Sequence, residues 1–571
     1  MNAAVQRAAR PMIYDVNGVP MRRQASAGGG DFAHAAASTV SQELATWWPM
    51  LRPADAEYLP ERDLVVARTR DTARNNGWVA GGLQRFVDEA IGQKFRLNYM
   101  PDARALGLDP AVCLEWAKSV ERQFMLDALD SRCLLDAGER NTLPALLGLL
   151  FRHVLVDGEC LAVLPHLPGR HGSPFGTCVQ VLSPDRLSNE HRAADSDRLR
   201  RGVEINQFGA PQAYWIQAAH PNAGLLAPAA GSLRWERVPR YTPWGRLRVI
   251  HWFEQQAADQ SRGKSFLTPV LEKVRMVSRY EAVELQAAIV NAIFAAFITS
   301  PFDHAILNDA LSEGDDAAVG DIGQYQDKRA DFHDTRRLTL GGVRIPTLFP
   351  GEKIESFAPG RPNASFGPFL QTSLRYMASA LGQSYEEFAN DWSSTNYSSA
   401  RAAMLKSWKF LLARRGAFSA GVATPIFACW LEEHMEAGAI VPPAGAPPFW
   451  QAFAAYTRCQ WIGPGRGWVD PTKEAQAAVM RMDAYVSTLQ AECAEQGLDY
   501  DEVLDQAAYE RKAMLDRGLP PPQWAVVGTD PSPHDEDPDA ADRAERGQAV
   551  AARLAVYEQR MADLALRAGA A

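Results

Sequence analysis

Gly263-Lys264-Ser265 follows a strand-like run, Val249–Phe253, and precedes a long helical stretch, which is the setting of a phosphate-binding loop. Such a loop needs a glycine five residues before the Gly-Lys pair, so that backbone N–H groups can close around phosphate. That position is Ala258, and Asp259 after it would repel phosphate. A nucleotide-driven motor subunit using Gly263-Lys264-Ser265 is therefore the alternative reading, not the preferred one. A second set is acidic: Asp303, Asp309, Glu313, Asp315, Asp316, Asp321, Asp327, Asp331 and Asp334. Their spacing fits neither a helical face nor a calcium loop, so a solvated loop is expected. The eleven histidines are dispersed, and His251 falls in a strand that reads as buried, where a hydrogen-bonded core histidine is expected. Neither a G-x-S-x-G elbow nor an H-E-x-x-H pair occurs. The seven cysteines are odd in number and contain no C-x-x-C pair, which suits reduced thiols made in a cytoplasm and offers no zinc spacing. No catalytic residue, metal site or cofactor is expected, and the chain is not read as an enzyme.

The elements that carry these residues begin with Ser265 to Ile298, SFLTPVLEKVRMVSRYEAVELQAAIVNAIFAAFI. After Pro269 it holds no Gly or Pro, and an uninterrupted helix of this length would run roughly 45 Å. Apolar residues recur three and four apart through Val270, Val274, Val277, Tyr280, Val283, Ala287, Val290, Phe294 and Phe297. That average spacing lies below 3.6, as in helices that wrap against neighbours. Two forms are compatible with it: one long core helix, or a helix packed beside copies of itself in a ring. Its apolar run is near 14 residues, against about 20 for a membrane span, so no membrane role is expected.

A chain of 571 residues with net charge −9 is too long for one core and too acidic to coat DNA through a basic surface. DNA passing loosely through a weakly attractive channel is not excluded. The first residues lack an apolar signal core, so no export is implied. Residues 1–50 read as a mobile Ala/Gly/Ser/Arg arm, with Trp47, Trp48 and Pro49 near its end able to dock on a neighbour or to stand as single surface aromatics. From Glu61 the pattern is helical, with a basic stripe of Arg62, Arg68, Arg70 and Arg74 and a stop at Asn75-Asn76-Gly77. Leu143–Val156 is amphipathic, Asp157-Gly158-Glu159 is a tight turn, and Cys160–Leu164 is a buried strand. Further short strands, with a hairpin tipped at Phe208-Gly209, make the middle third α+β and antiparallel. Gly341–Phe357 reads as two strands joined at Pro350-Gly351. Phe366–Leu381 is a helix, Gly382–Ser399 is loop-like, and Ala400–Ala413 is a helix ending at Arg414-Arg415-Gly416. Pro425–Ala437 is helical. A helix pair starts at Asp470-Pro471, Thr529–Asp542 reads as disordered, and the tail is Ala-rich.

The order of motifs then matters. ARTRDTARNNGW, DGECLAVL, SPDRL, GVEINQFGAPQAYWI, VIHWFEQQAADQSRGKSFLTPVL, LFPGEKIESFAPGRP, LGQSYEEFANDWSSTNYSSARAAMLKSW and WVDPTKEAQA follow one another between about residues 60 and 515. This succession resembles the lambda-type portal proteins of tailed bacteriophages. Asn396 with Tyr397-Ser398-Ser399-Ala400-Arg401, and Gln260-x-Arg262-Gly263, are its most specific pieces.

The resemblance implies an α+β portal fold with an α/β wing, a long-helix stem, a small α/β clip and a helical crown. It implies a homo-oligomeric ring, typically a dodecamer, at one capsid vertex of the virion. Such a ring is assembled in the host cytoplasm, passes double-stranded DNA, and meets the terminase large subunit, the major capsid protein or scaffold, and head–tail connector proteins. Portals do not hydrolyse ATP. Carried onto this chain, the family's parts are an N-terminal arm (1–59), wing (60–265), first stem helix (266–297), clip (298–357), second stem helix (358–382), tunnel loop (383–399), wing return helices (400–469), crown helices (470–528), and an acidic linker with a helical tail (529–571). Expected DNA-channel residues are Arg275, Arg279, Trp392, Asn396 and Tyr397. Expected docking residues are Asp315, Asp316, Asp321, Lys328 and Arg329. A capsid or adaptor protein without a channel is the remaining alternative.

Overall fold

The computed structural model describes residues 35–37, 42–222, 234–293, 297–299, 327–328, 330–332, 338–340, 343–345, 353–355, 365–393, 395–465, 467 and 471–519. The chain divides into two compact units, Met1–Pro471 and Thr472–Ala571.

In the first unit, α1 (Ala54–Tyr58), α2 (Arg62–Asn75) and α3 (Gly77–Ala90) lead into β1 (Arg96–Tyr99). Asn76 ends α2 and caps α3 with its side-chain oxygen on the Val79 N–H, so one residue serves as stop and start. Next come α4 (Pro110–Ala128), α5 (Leu143–Asp157), β2 (Cys160–Val163) and β3 (Gln180–Leu182). Strands β4 (Leu199–Arg200), β5 (Val203–Ile205), β6 (Pro211–Gln217), β7 (Trp235–Pro239) and β8 (Val249–Trp252) follow. The long helix is α6 (Leu271–Ile293), and β9 (Phe297–Thr299), β10 (Leu338–Leu340), β11 (Val343–Ile345) and β12 (Lys353–Glu355) succeed it. Then come α7 (Phe366–Leu381), α8 (Tyr385–Ala389), α9 (Tyr397–Phe418), α10 (Thr424–Glu436), α11 (Phe453–Tyr456) and β13 (Cys459–Ile462).

All ladders between these strands are antiparallel, in the orders β3-β2-β8, β4-β5-β6-β7, β1-β13, β10-β11 and β12-β9. Among the described residues two apolar centres result. The smaller collects Leu161, Val203, Tyr214, Ile216, Val238 and Val249 from the three- and four-stranded sheets. The larger gathers α3, α4, α5, α10 and the β1-β13 pair. Trp430 is its largest buried ring, 5.0 Å from Phe124, with its indole N–H 3.0 Å from Asp127 Oδ2. A buried indole is stable in such a core only when that N–H has an acceptor.

Four expectations change. The long helix ends before residue 297: Phe297–Thr299 is a strand that pairs with Lys353–Glu355, because this β-prone run finds a ladder partner across the insert. Among the described residues β11 therefore pairs with β10, and β12 with β9, rather than with each other. The stretch 383–399 is only partly a loop, since Ser384 and Glu387 form a capping box that starts α8, and α9 begins at Tyr397. Arg414-Arg415-Gly416 does not end a helix. Arg415 is buried, its guanidinium donating to the carbonyls of Ala90 (2.8 Å), Glu89 (2.6 Å) and Pro464 (3.0 Å), and the helix runs on through a π turn at Ser419–Ala423 into α10. Burial lowers the Arg415 pKa to about 10, and it keeps its proton at neutral pH.

The second unit holds α12 (Pro471–Asp483, beginning one residue before the division), α13 (Leu489–Glu495) and α14 (Tyr500–Asp516). Among the described residues, the stretch expected as a helix pair holds three helices, because Thr488 and Asp499 each cap a new start. None of the residues in these helices is buried. The arm at 1–34, the 529–542 stretch and the C-terminal tail lie outside the described residues.

Candidate functional site

The long helix is fastened at its start. Three 3₁₀ residues, Thr268–Val270, precede α6, and Leu267, Val270, Val274 and Val277 are buried there. Ser278 Oγ accepts from Asn76 Nδ2 at 2.9 Å, tying α6 to the α2–α3 junction. Tyr280 packs edge-on against Phe369 of α7, with centroids 5.1 Å apart. Beyond this point cover is uneven: Glu284 is buried, whereas Val283, Leu285 and Ile289 are about half exposed or more.

Immediately before α6 lies a cluster of buried charge. Glu159, fully buried, accepts from Arg62 Nη2 (2.8 Å), Arg262 Nε (2.9 Å), the Gly263 N–H (2.8 Å) and His251 Nε2 (3.0 Å). Burial alone would raise its carboxyl pKa, but Arg262 and Arg62 hold it well below the usual carboxylate range. Burial lowers His251 against the pull of Glu159, so the ring is neutral at pH 7 and its Nε2–H is the donor. The remaining guanidinium hydrogens of Arg262 reach the carbonyls of Pro184 (2.9 Å) and Arg201 (2.7 Å). A second carboxylate, Asp157, takes Arg70 Nε (2.7 Å) and His153 Nδ1 (2.6 Å), and Arg70 also pairs with Asp185. A third, Asp55, takes the Ser261 N–H (2.9 Å), Ser261 Oγ (2.6 Å) and Arg200 Nη1 (2.9 Å).

The backbone makes this cluster possible. Gly158 has φ +89°, and a Cβ there would lie 2.4 Å from the Lys264 carbonyl carbon. A Cβ on Gly263 would lie 2.1 Å from the Gly158 carbonyl oxygen. Two chain segments therefore cross with glycine against glycine, and only that spacing lets Glu159 reach the Gly263 N–H.

The same geometry decides the fate of Gly263-Lys264-Ser265. The Gly263 N–H is already bound to an internal anion, and buried Ser265 donates its hydroxyl to Leu155 O at 2.9 Å. Neither group is free for phosphate or its metal. The stripe on α2 also divides: Arg62 and Arg70 serve internal carboxylates, whereas Arg68 and Arg74 are exposed. Among the described residues no group of three or more His, Cys, Asp or Glu could hold a metal ion, and no helix is long and apolar enough to cross a membrane.

The residues expected to line a channel fall on two segments. Arg275 and Arg279 are both exposed, one turn apart on α6, as are Glu272 and Gln286. Trp392 and Asn396 are exposed between α8 and α9, and Asn396 Oδ1 caps α9 on the Ser399 N–H at 2.8 Å. Tyr397 opens α9, and its side chain lies outside the described residues. The segment is held from below by Phe388, fully buried against Gly82 of α3, whose added Cβ would meet that ring at 2.5 Å. Of the expected docking residues, Lys328 is exposed, while Asp315, Asp316, Asp321 and Arg329 lie outside the described residues. Glu159 as the organising anion was not identified from the residues, although D-G-E and Q-x-R-G were both conspicuous. Their sequence separation of about a hundred residues hid the contact.

Comparison with known proteins identifies the family. The family described as "phage portal protein, lambda family" matches residues 41–415. Portal protein B of Escherichia phage lambda is 32% identical over 501 residues, 86% of this chain and 92% of that protein. The portal protein of Escherichia phage N15 is 32% identical over 497 residues, again 86% and 92%. A solved chain from the neck of an empty GTA particle, computed with C6 symmetry, aligns with TM-score 0.46 and 14% identity, covering 81% of this chain and 99% of its own. The chain belongs to the lambda family of phage portal proteins.

Proposed function

We propose that identical copies of this portal protein close into a ring, typically of twelve, around a hole wide enough for a DNA duplex. The observation that carries this reading is the exposed far half of α6. Leu285 and Ile289, one turn apart, continue the helix face that holds buried Val274, so the helix is built to be covered twice: by its own wing at one end and by copies of itself at the other. The apolar residues left uncovered in the second unit, among them Val479, Met480 and Leu515, point the same way.

Within the ring, residues 60–265 and the return helices 400–469 are the wing, 266–297 and 358–382 supply the stem, and 298–357 form the clip. The loop at 383–399 projects toward the duplex, and the crown is at 470–528. Arg275 and Arg279 meet passing phosphates with Glu272 beside them, while Trp392, Asn396 and Tyr397 give polar and aromatic contact. Each phosphate neutralised adds steep salt dependence. Few, spaced cations let the duplex slide where a dense basic ring would trap it. The clip, through Asp315, Asp316, Asp321, Lys328 and Arg329, docks the terminase large subunit during packaging and connector proteins afterwards. Major capsid protein or scaffold surrounds the wing at the virion vertex, after assembly in the host cytoplasm. The protein turns over no nucleotide itself. The alternative motor reading is disfavoured by the engaged Gly263 N–H and Ser265 hydroxyl.

Electron microscopy of the purified chain tests this directly. A closed ring with a pore of about duplex width is expected. Rings without a hole would instead favour an adaptor without a channel.

A further inference from the structure

Among the described residues of the first unit, two further uncovered apolar surfaces differ in shape. The first is a strap. Trp47-Trp48-Pro49-Met50-Leu51 has no regular structure, and its large side chains are 66–105% exposed. Pro49 and Pro53 restrict its free conformations, so little freedom is lost when it is ordered. It leaves the body at α1, which Asp55 clamps to Ser261 and Arg200. The strap lies inside the family-matched stretch, which starts at residue 41.

The second surface is a recess. Trp450 and Phe453 stack with rings 4° from parallel and centroids 5.6 Å apart. The turn at Tyr241–Gly245 lies against them, since a Cβ on Gly245 would be 3.3 Å from the Trp450 ring. Tyr241, Trp244, Trp450 and Phe453 are each 36–60% exposed. A cavity of about 610 Å³ is lined by Tyr241, Trp450 and Phe453 together with Trp252, Gly421 and Pro425. Arg240 also lines it, with its guanidinium 5.2 Å over the Tyr241 ring and a buried Nε that has no hydrogen-bond partner among the described residues.

A ring of more than two copies is closed by heterologous contacts, so each subunit must present two different, complementary surfaces. A projecting pair of indoles and an aromatic-walled recess meet that requirement. Each indole buries roughly 150–250 Å². With Met50 and Leu51 the strap supplies a large part of the ~800 Å² per partner that a specific interface needs.

We propose that Trp47–Leu51 of one copy seats in the recess between Tyr241–Gly245 and Trp450–Phe453 of the next copy, strapping the ring across each seam. The proposal rests on the ring described above. The test is disulfide trapping in the full chain, with wild-type thiols as background. Copies carrying Trp48→Cys are mixed with copies carrying Phe453→Cys, and rings are imaged in parallel. A cross-linked dimer of the two kinds of copy is expected, and Trp47→Ala with Trp48→Ala should weaken assembly at least tenfold without lowering the unfolding temperature. Wild-type rings that form with no cross-link overturn the strap alone. A link that forms only within single, doubly substituted chains, diluted below assembly, also overturns it. Absence of any wild-type ring overturns both readings.

Discussion

The charge cluster before α6 and the far half of α6 are two solutions for one helix. In the cluster every strong polar group is consumed internally: Glu159 alone takes two arginines, a histidine and a backbone N–H. A few turns later Leu285 and Ile289 are left in water. The cluster is thus complete within one chain, while in the ring proposed above the far half of α6 is finished by neighbours. A buried ion cluster demands fixed geometry, because removing one partner strands the other charge. An apolar stripe demands only cover, and another copy can supply that.

The sharpest way to break this contrast is at the cluster. Arg262→Ala should destabilise the wing by about 3–5 kcal/mol, since Glu159 loses its main partner while staying buried. Urea or thermal unfolding checks this, and a loss below ~1 kcal/mol would mean that the cluster does not anchor the helix. Next is Gly263→Ala, which forces a Cβ into the Gly158 carbonyl and should cost about 2–3 kcal/mol in the same assay.

Acid should act on the cluster and spare the stripe. The folded Glu159 pKa is depressed, so its contribution is fully present above the unfolded carboxylate value of about 4.3 and is lost as pH falls through the folded value. The gap in unfolding temperature between wild type and Glu159→Gln should therefore shrink as pH is lowered below about 4.5. A gap that widens would contradict the assigned charge state.

At the other region the stability effect is smallest. Leu285→Ser with Ile289→Ser should change unfolding of the dissociated chain by no more than about 0.5 kcal/mol, as for other exposed positions, yet should weaken ring formation measured by native mass spectrometry. Equal losses in both measurements would show that α6 is covered by its own chain. Arg279→Glu separates contact with DNA from assembly: rings should persist, while the salt dependence of DNA packaging shifts. An unchanged salt profile would remove Arg279 from the channel.

Much of this was legible locally. The Asn76 double cap, the Gly158 turn, the Phe208-Gly209 hairpin tip and the buried His251 all follow from short-range rules of capping, φ and alternation. The buried half of α6 was visible in its valine spacing. Errors came where distant segments intervened. Phe297–Thr299 left the helix because Lys353–Glu355 was there to pair with it, and Arg415 continued a helix because Ala90, Glu89 and Pro464 offered it carbonyls.

The sequence by itself determined the order of elements, the shortage of catalytic constellations and the membership of a portal family, because these live in residue type and short spacing. Only the tertiary structure decided that the Gly-Lys-Ser turn serves an internal carboxylate, that two arginines of one stripe are consumed, and that an aromatic recess faces outward. Each depends on contacts between residues scores of positions apart, which chain spacing does not encode and packing alone brings together.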